Sequence, residues 1–151
     1  MSVATERARI AAIAATITGI ATTSAALPRN LTSADLPALV VLAGEGTRTR
    51  DGGLMFVQRT YRLALLVKPW AQGIELEAEQ ACEPFYERFE DAYGQRPALQ
   101  LTDNLTPLEG VQHSDLGNDT GTTMIELAGV GYAGVMFDLN VLSARDVPRG
   151  V

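Results

Sequence analysis

The sequence predicts a single α+β domain: a mostly antiparallel sheet packed by two main helices in a sandwich, with a long projecting hairpin loop. Three observations predict it. Apolar residues recur at helical spacing in two separate stretches, they alternate at strand spacing in the segments that follow each stretch, and 151 residues suffice for one buried core. Helix, strands, helix, strands is the element order of an α+β fold, and residues 1–151 read as one structural domain.

The first helix is expected from about Val3 to Thr18, because Ile10, Ile13, Ala14, Ile17 and Ala21 fall on one face and Ser2 can serve as N-cap. Gly19 can end it. Pro28, Asn30, Ser33, Asp35 and Pro37 mark an irregular connection, after which Leu39 to Leu42 reads as a short buried strand. Residues 44–53, GEGTRTRDGG, hold four glycines and no large apolar side chain. They read as a loop that projects from the sheet, with Arg48 and Arg50 as a contact arm. Val57, Arg59, Tyr61, Leu63, Leu65 and Val67 then alternate with Phe56, Gln58, Thr60, Arg62, Ala64 and Leu66, a long strand buried on both faces in its second half.

Pro69 closes that strand. Ile74, Ala78, Ala81, Cys82, Phe85 and Phe89 form the apolar stripe of the main core helix, in which Pro84 predicts a kink or the start of a second helix. Gly94 and Pro97 end it. The last third is strand-like again: Gly110 to Leu116, a turn over Asn118 to Gly121, then TMIELAGV and YAGVMFDLNVLSAR, where Val135, Phe137, Leu139 and Val141 alternate with polar neighbours.

Composition narrows the function. A net charge of -6 argues against broad binding to a nucleic-acid backbone, although a local arginine patch can touch phosphate. Only Lys68 among twelve basic residues is lysine, and arginine suits planar, partly desolvated contacts at interfaces. The single Cys82 excludes an internal disulfide and points to a reducing compartment. Residues 7–26 imitate a secretory signal, but Glu6 sits in the basic region and Thr16, Thr18 and Gly19 dilute the apolar run, so cleavage is not expected. No stretch reaches the roughly 20 apolar residues of a membrane span, and a soluble protein is the expectation.

Several constellations invite chemistry. Gly129, Gly131 and Gly134 match G-x-G-x-x-G, yet the segment that follows alternates like a strand rather than opening a helix, so a glycine-rich hairpin turn or bulge is the reading. His113, Ser114 and Asp115 are consecutive, and neighbours on a strand point to opposite faces, which denies them a relay. Cys82 lies on the apolar stripe and reads as an inert thiol. Glu75, Glu79, Glu83 and Glu87 repeat every four residues, with Glu90 and Asp91 extending the ridge; a solvated face opposite the core explains them, and the sharper alternative is a ridge that lines a passage or meets basic residues of a neighbouring subunit. Trp70, at a strand end, suits either core packing or an interface anchor.

With LPALVVLAGEG, YRLALLVKPW, the acidic core helix and GYAGVMFDLNVLSAR in view, the chain resembles, over most of its length, the tail-terminator (tail-completion) proteins of long-tailed bacteriophages. The resemblance implies a structural virion subunit, assembled in the host cytoplasm, that forms a hexameric ring at the head-tail neck. Such a ring caps the tail tube, ends its polymerisation and joins it to the head connector. It implies no reaction, cofactor or metal and no membrane, and DNA would pass through the lumen without sequence-specific binding. Arg48, Arg50, Arg59, Arg62, Trp70, Glu75, Glu79, Glu83 and Glu87 are the expected interface residues. A head-completion or connector adaptor of the same neck is the nearest alternative, and a small ferredoxin-like enzyme or ligand-binding module is the alternative of another class.

Overall fold

A computed structural model describes residues 3–25, 31–100 and 107–146. The elements run α1 (Val3–Ala14), β1 (Thr22–Ser24), a 3-10 turn (Ser33–Asp35), β2 (Ala38–Asp51), β3 (Leu54–Pro69), α2 (Glu75–Gly94), β4 (Val111–Asp119), β5 (Thr123–Leu127) and β6 (Val130–Asp146). The six strands make one sheet of order β1-β2-β3-β6-β4, with β5 also paired to β6. Every pairing is antiparallel except β1 with β2. The expected α+β class is therefore what the chain adopts. Among the described residues no helix is long and apolar enough to cross a membrane.

Both helices lie on one face of the sheet. Ile10 and Ile13 of α1 and Cys82, Phe85 and Phe89 of α2 share a core with Leu39, Val41, Tyr61, Leu63, Leu65, Val135, Phe137, Leu139 and Val141. These sheet residues are the alternating sets read from the sequence, one row per strand. On the other face a smaller cluster, Val40, Ala64, Leu66, Ile125, Leu127 and Tyr132, is packed by Leu31, Leu36, Leu42 and Met136. That second cluster explains why β3 is apolar on both sides in its latter half.

Four expectations change. Helix α1 stops at Ala14 rather than Thr18, because the amides of Thr16 and Ile17 bond three residues back and the Thr16 hydroxyl donates to the Ile13 carbonyl. Helix α2 is assigned as one helix from Glu75 to Gly94, and no second helix begins at Pro84. Pro84 is exposed, while Ala78, Cys82, Phe85 and Phe89 stay buried in one register across it, so core packing outweighs the lost bond. Residues 22–24, read as part of an irregular connection, form a short parallel strand beside Ala38–Val40; three residues are too few to show a period. Ser2, Pro28 and Asn30 lie outside the described residues.

The fourth change matters most. Residues 44–53 are not a loop: β2 continues through them, paired to β3 from Gly46↔Arg59 to Asp51↔Leu54, and only Gly52 and Gly53 form the turn. Gly52 has φ +61°, the positive value that a two-residue primed hairpin turn needs at its first position. The segment does not project alone either, because β6 follows β3 to the tip as far as Leu54↔Asp146. Exposure misled the reading. A strand whose faces are both wet carries no apolar alternation, so its pairing comes from the backbone and from β-branched Thr47 and Thr49.

Two buried tyrosines tie helix to sheet and helix to helix. The Tyr61 hydroxyl donates to the Glu6 carboxylate, and the Tyr93 hydroxyl donates to the Ile10 carbonyl at 2.9 Å. Burial pushes both phenols well above their ordinary value of 10.0, and at Tyr61 the hydrogen bond to Glu6 adds to it. A raised folded-state pKa means that this stabilisation is complete below the unfolded value and is lost as pH rises beyond it. Stability is therefore expected to fall above about pH 10 by roughly 1.4 kcal/mol per pH unit for each tyrosine. Urea titrations with tyrosinate absorbance will measure it, and Tyr93→Phe should remove about half of the slope; an unchanged slope would exclude Tyr93 as a source.

Candidate functional site

Arginine usage divides the surface. Arg7 donates twice to the Val41 carbonyl, Arg9 to Leu99, Arg59 to Gly44, Arg88 to Thr18 and Arg96 to Ala92. Those five are internal staples, which accounts for part of the preference for arginine without an interface. Among the described residues Arg48, Arg50 and Arg62 have no such partner, and the hydrogen bond of Arg145 goes to the Met55 sulfur, at 3.7 Å. The one ion pair among the described residues joins Lys68 and Glu77, at 3.6 Å between exposed side chains.

A bulge in β2 brings the arginines together. Ala43 pairs with Tyr61 and Gly46 with Arg59, so Gly44 and Glu45 together oppose Thr60. A Cβ at Gly44 would sit 2.4 Å from the Thr60 carbonyl oxygen, and glycine lets the strand pass there. The extra residue shifts the phase of everything beyond it by one face. Gly46, Arg48 and Arg50 consequently share the helix-side face with Arg59, and the rows Arg48↔Val57↔Ser143 and Arg50↔Met55↔Arg145 complete it. Four guanidinium groups, on Arg48, Arg50, Arg59 and Arg145, thus occupy one face at the hairpin end of the sheet. A small cavity of about 120 Å³ beside the first turn of α1 is lined by Val3, Glu6, Arg48, Val57, Arg59 and Arg145 among others, and Glu6 is the acid among the described lining residues. Glu6 is 5 % exposed, and among the described residues its Oε2 has no hydrogen-bond partner.

The opposite end of the sheet carries a different surface. Trp70 follows β3 and bonds through its amide to the Gly131 carbonyl, which fixes the indole at the mouth of a groove of about 700 Å³ between α2 and the β4–β5 junction. Glu75, Glu79 and Glu83 line one wall with Leu76, Gln80 and Tyr86, and Gly121, Thr122 and Thr123 line the other. Trp70 is 37 % and Leu76 68 % exposed, large apolar groups left beside carboxylates. Between the rows of Arg50 and Trp70, β3 spans about fifteen residues, roughly 50 Å of strand.

Of the expected interface residues, Arg48 and Arg50 share a face with Arg59, whose guanidinium is already engaged by Gly44. Arg62 points to the other face of the sheet, in the row Leu42–Arg62–Asp138. Trp70, Glu75, Glu79 and Glu83 gather around the groove, whereas Glu87 is exposed and outside it. Arg145 was missed, because it stands alone near the chain end and only pairing places it beside Arg50.

The remaining constellations have structural roles. Gly129, at φ +80°, turns the chain between β5 and β6, and Gly134 lies within β6, so no helix follows the glycine motif. The Ser114 hydroxyl donates to the Arg96 carbonyl, while His113 and Asp115 are exposed. Cys82 is fully buried, and burial pushes its thiol up. Among the described residues no three His, Cys, Asp or Glu side chains converge as a metal site would need.

Fold and surfaces together describe an α+β domain with two surfaces of unlike charge at the ends of one sheet. No protein-family model matches the sequence, and comparison with curated proteins finds no match.

Proposed function

We propose that this chain is a structural subunit of the head-tail neck of a long-tailed bacteriophage, a tail terminator whose ring caps the tail tube and meets the head connector. One observation carries the reading: a basic face and an acidic, aromatic groove lie at opposite ends of the same sheet. Unlike surfaces at opposite ends of a subunit make heterologous contacts, and such contacts close into a ring when the rotation between copies permits. Opposite charge on the two surfaces favours association in one orientation and opposes like-to-like pairing. The element order and the closing strand GYAGVMFDLNVLSAR, on which the resemblance to tail terminators rests, support the same reading.

The test is direct. Purified protein at high concentration, imaged by negative-stain electron microscopy alone and with tail tubes, is expected to form rings of about six copies and to seat on one end of a tube. Rings that ignore tube ends would move the protein to the connector side of the neck. A persistent monomer that ignores tubes would remove the ring-forming terminator reading.

A further inference from the structure

We infer that the arginine face of one copy, Arg48 and Arg50 with Arg145, docks on the Glu79–Glu83 ridge and Trp70 of a second copy. The inference rests on the ring reading and specifies its contact. The two surfaces fit in spacing as well as in sign. Arg48 and Arg50 are two apart on a strand, which separates them by about 6.7 Å. Glu79 and Glu83 are four apart on a helix, which separates them by about 6 Å along its axis. Each guanidinium can therefore meet its own carboxylate in the planar two-bond geometry that arginine forms best.

Their apolar parts match too. Met55 and Val57 sit beside the arginines in the rows of the basic face, and Trp70 with Leu76 borders the glutamates. Tryptophan and arginine are the residues enriched at the energetic centres of protein contacts. None of Arg48, Arg50, Glu79 and Glu83 takes part in an ion pair among the described residues, so docking exchanges water, not an internal partner.

The open edge of β2 makes the face accessible. Among the described residues, β2 beyond the bulge has β3 on one side only, since β1 pairs with it no further than Val40. Its guanidinium groups therefore stand at the rim of the sheet, where a second copy's helix can approach without unfolding anything.

Charge reversal in the full chain tests this contact apart from the ring reading. Arg48→Glu with Arg50→Glu, and separately Glu79→Arg with Glu83→Arg, should each weaken self-association at least about tenfold, read by mass photometry and light scattering. Mixed in equal amounts, the two variants should regain rings, because each then offers the surface the other lacks. The mixing arm also shows that neither variant has merely failed to fold. Rings that survive both reversals, or a mixture that stays dissociated, would overturn the proposed contact while leaving the ring intact. Wild-type protein that never self-associates would overturn both. If the Arg48/Arg50 variant keeps its rings but loses retention on immobilised duplex DNA, the face contacts phosphate and the inference is wrong.

Discussion

Replacing Gly134 by valine is expected to abolish folding, and even Gly134→Ala should cost a large part of the stability of the domain. Gly134 lies in β6 opposite Leu66 of β3, next to the register shift between Leu66 and Lys68. A Cβ there would sit 1.8 Å from the Leu65 carbonyl oxygen, 2.9 Å from its carbonyl carbon and 3.2 Å from the Leu66 Cα. All three are backbone atoms, so no side-chain rotation relieves the clash. Nor can the strands part, since β3 and β6 are inner strands that carry the core rows Leu63–Phe137 and Leu65–Val135. Overpacking typically costs about 1–3 kcal/mol, and more where only backbone can give way, against a total of about 5–15 kcal/mol for a typical domain. Gly44 is the natural comparison. Its Cβ would also strike a carbonyl, but it lies at a bulge of β2, which among the described residues pairs there with β3 alone, so Gly44→Ala should cost distinctly less. Soluble yield and thermal melts by circular dichroism will rank the two; a Gly134→Ala protein that melts with the wild type would mean that the strands slide freely at the bulge.

Phe89→Ala is expected to have the next largest effect. Phe89 is fully buried, its ring stacks on Phe137 of β6 at 4.4 Å between centroids and 8° between planes, and Tyr93 lies 6.1 Å away. It is thus the point where α2 is fastened to the middle of the sheet. Truncation removes the transfer free energy of the ring and leaves a cavity that a helix pinned at both ends cannot collapse, about 3–5 kcal/mol in all. The stacked pair adds about 0.5–1.5 kcal/mol that Phe89→Leu would also forfeit. Urea denaturation reads the loss as a lower midpoint with an unchanged slope. Leu76→Ala on the same helix, at 68 % exposure, should change the stability by less than about 0.5 kcal/mol. Comparable losses at the two positions would contradict the assignment of which helix face is buried.

The parts of the fold legible in the sequence were those where one face is dry. The rows of β3 and β6, the stripe of α2 and the buried state of Cys82 follow from apolar period alone, because burial on one side imposes it. Where both faces are wet the period vanishes, so the hairpin end of β2 carries no apolar signature of a strand. At Pro84 the local rule left two outcomes open, a kink or a second helix, and packing on both sides of the proline decided against the second helix. The acidic ridge and Trp70 were legible as candidates, since helical spacing and a strand-ending proline place them, but nothing in their spacing put them around a common groove.

By itself the sequence determined the class of fold, the two core helices, the inner strands and the sign of charge carried by the acidic ridge. These depend on residues within a few positions of one another, and local periodicity encodes them. Only the tertiary structure decided which arginines act together. Arg48 and Arg145 are nearly a hundred positions apart in the chain, and their common face depends on one extra residue at Gly44–Glu45 that rotates the rest of β2 by half a turn. A bulge is a property of two paired strands rather than of either alone.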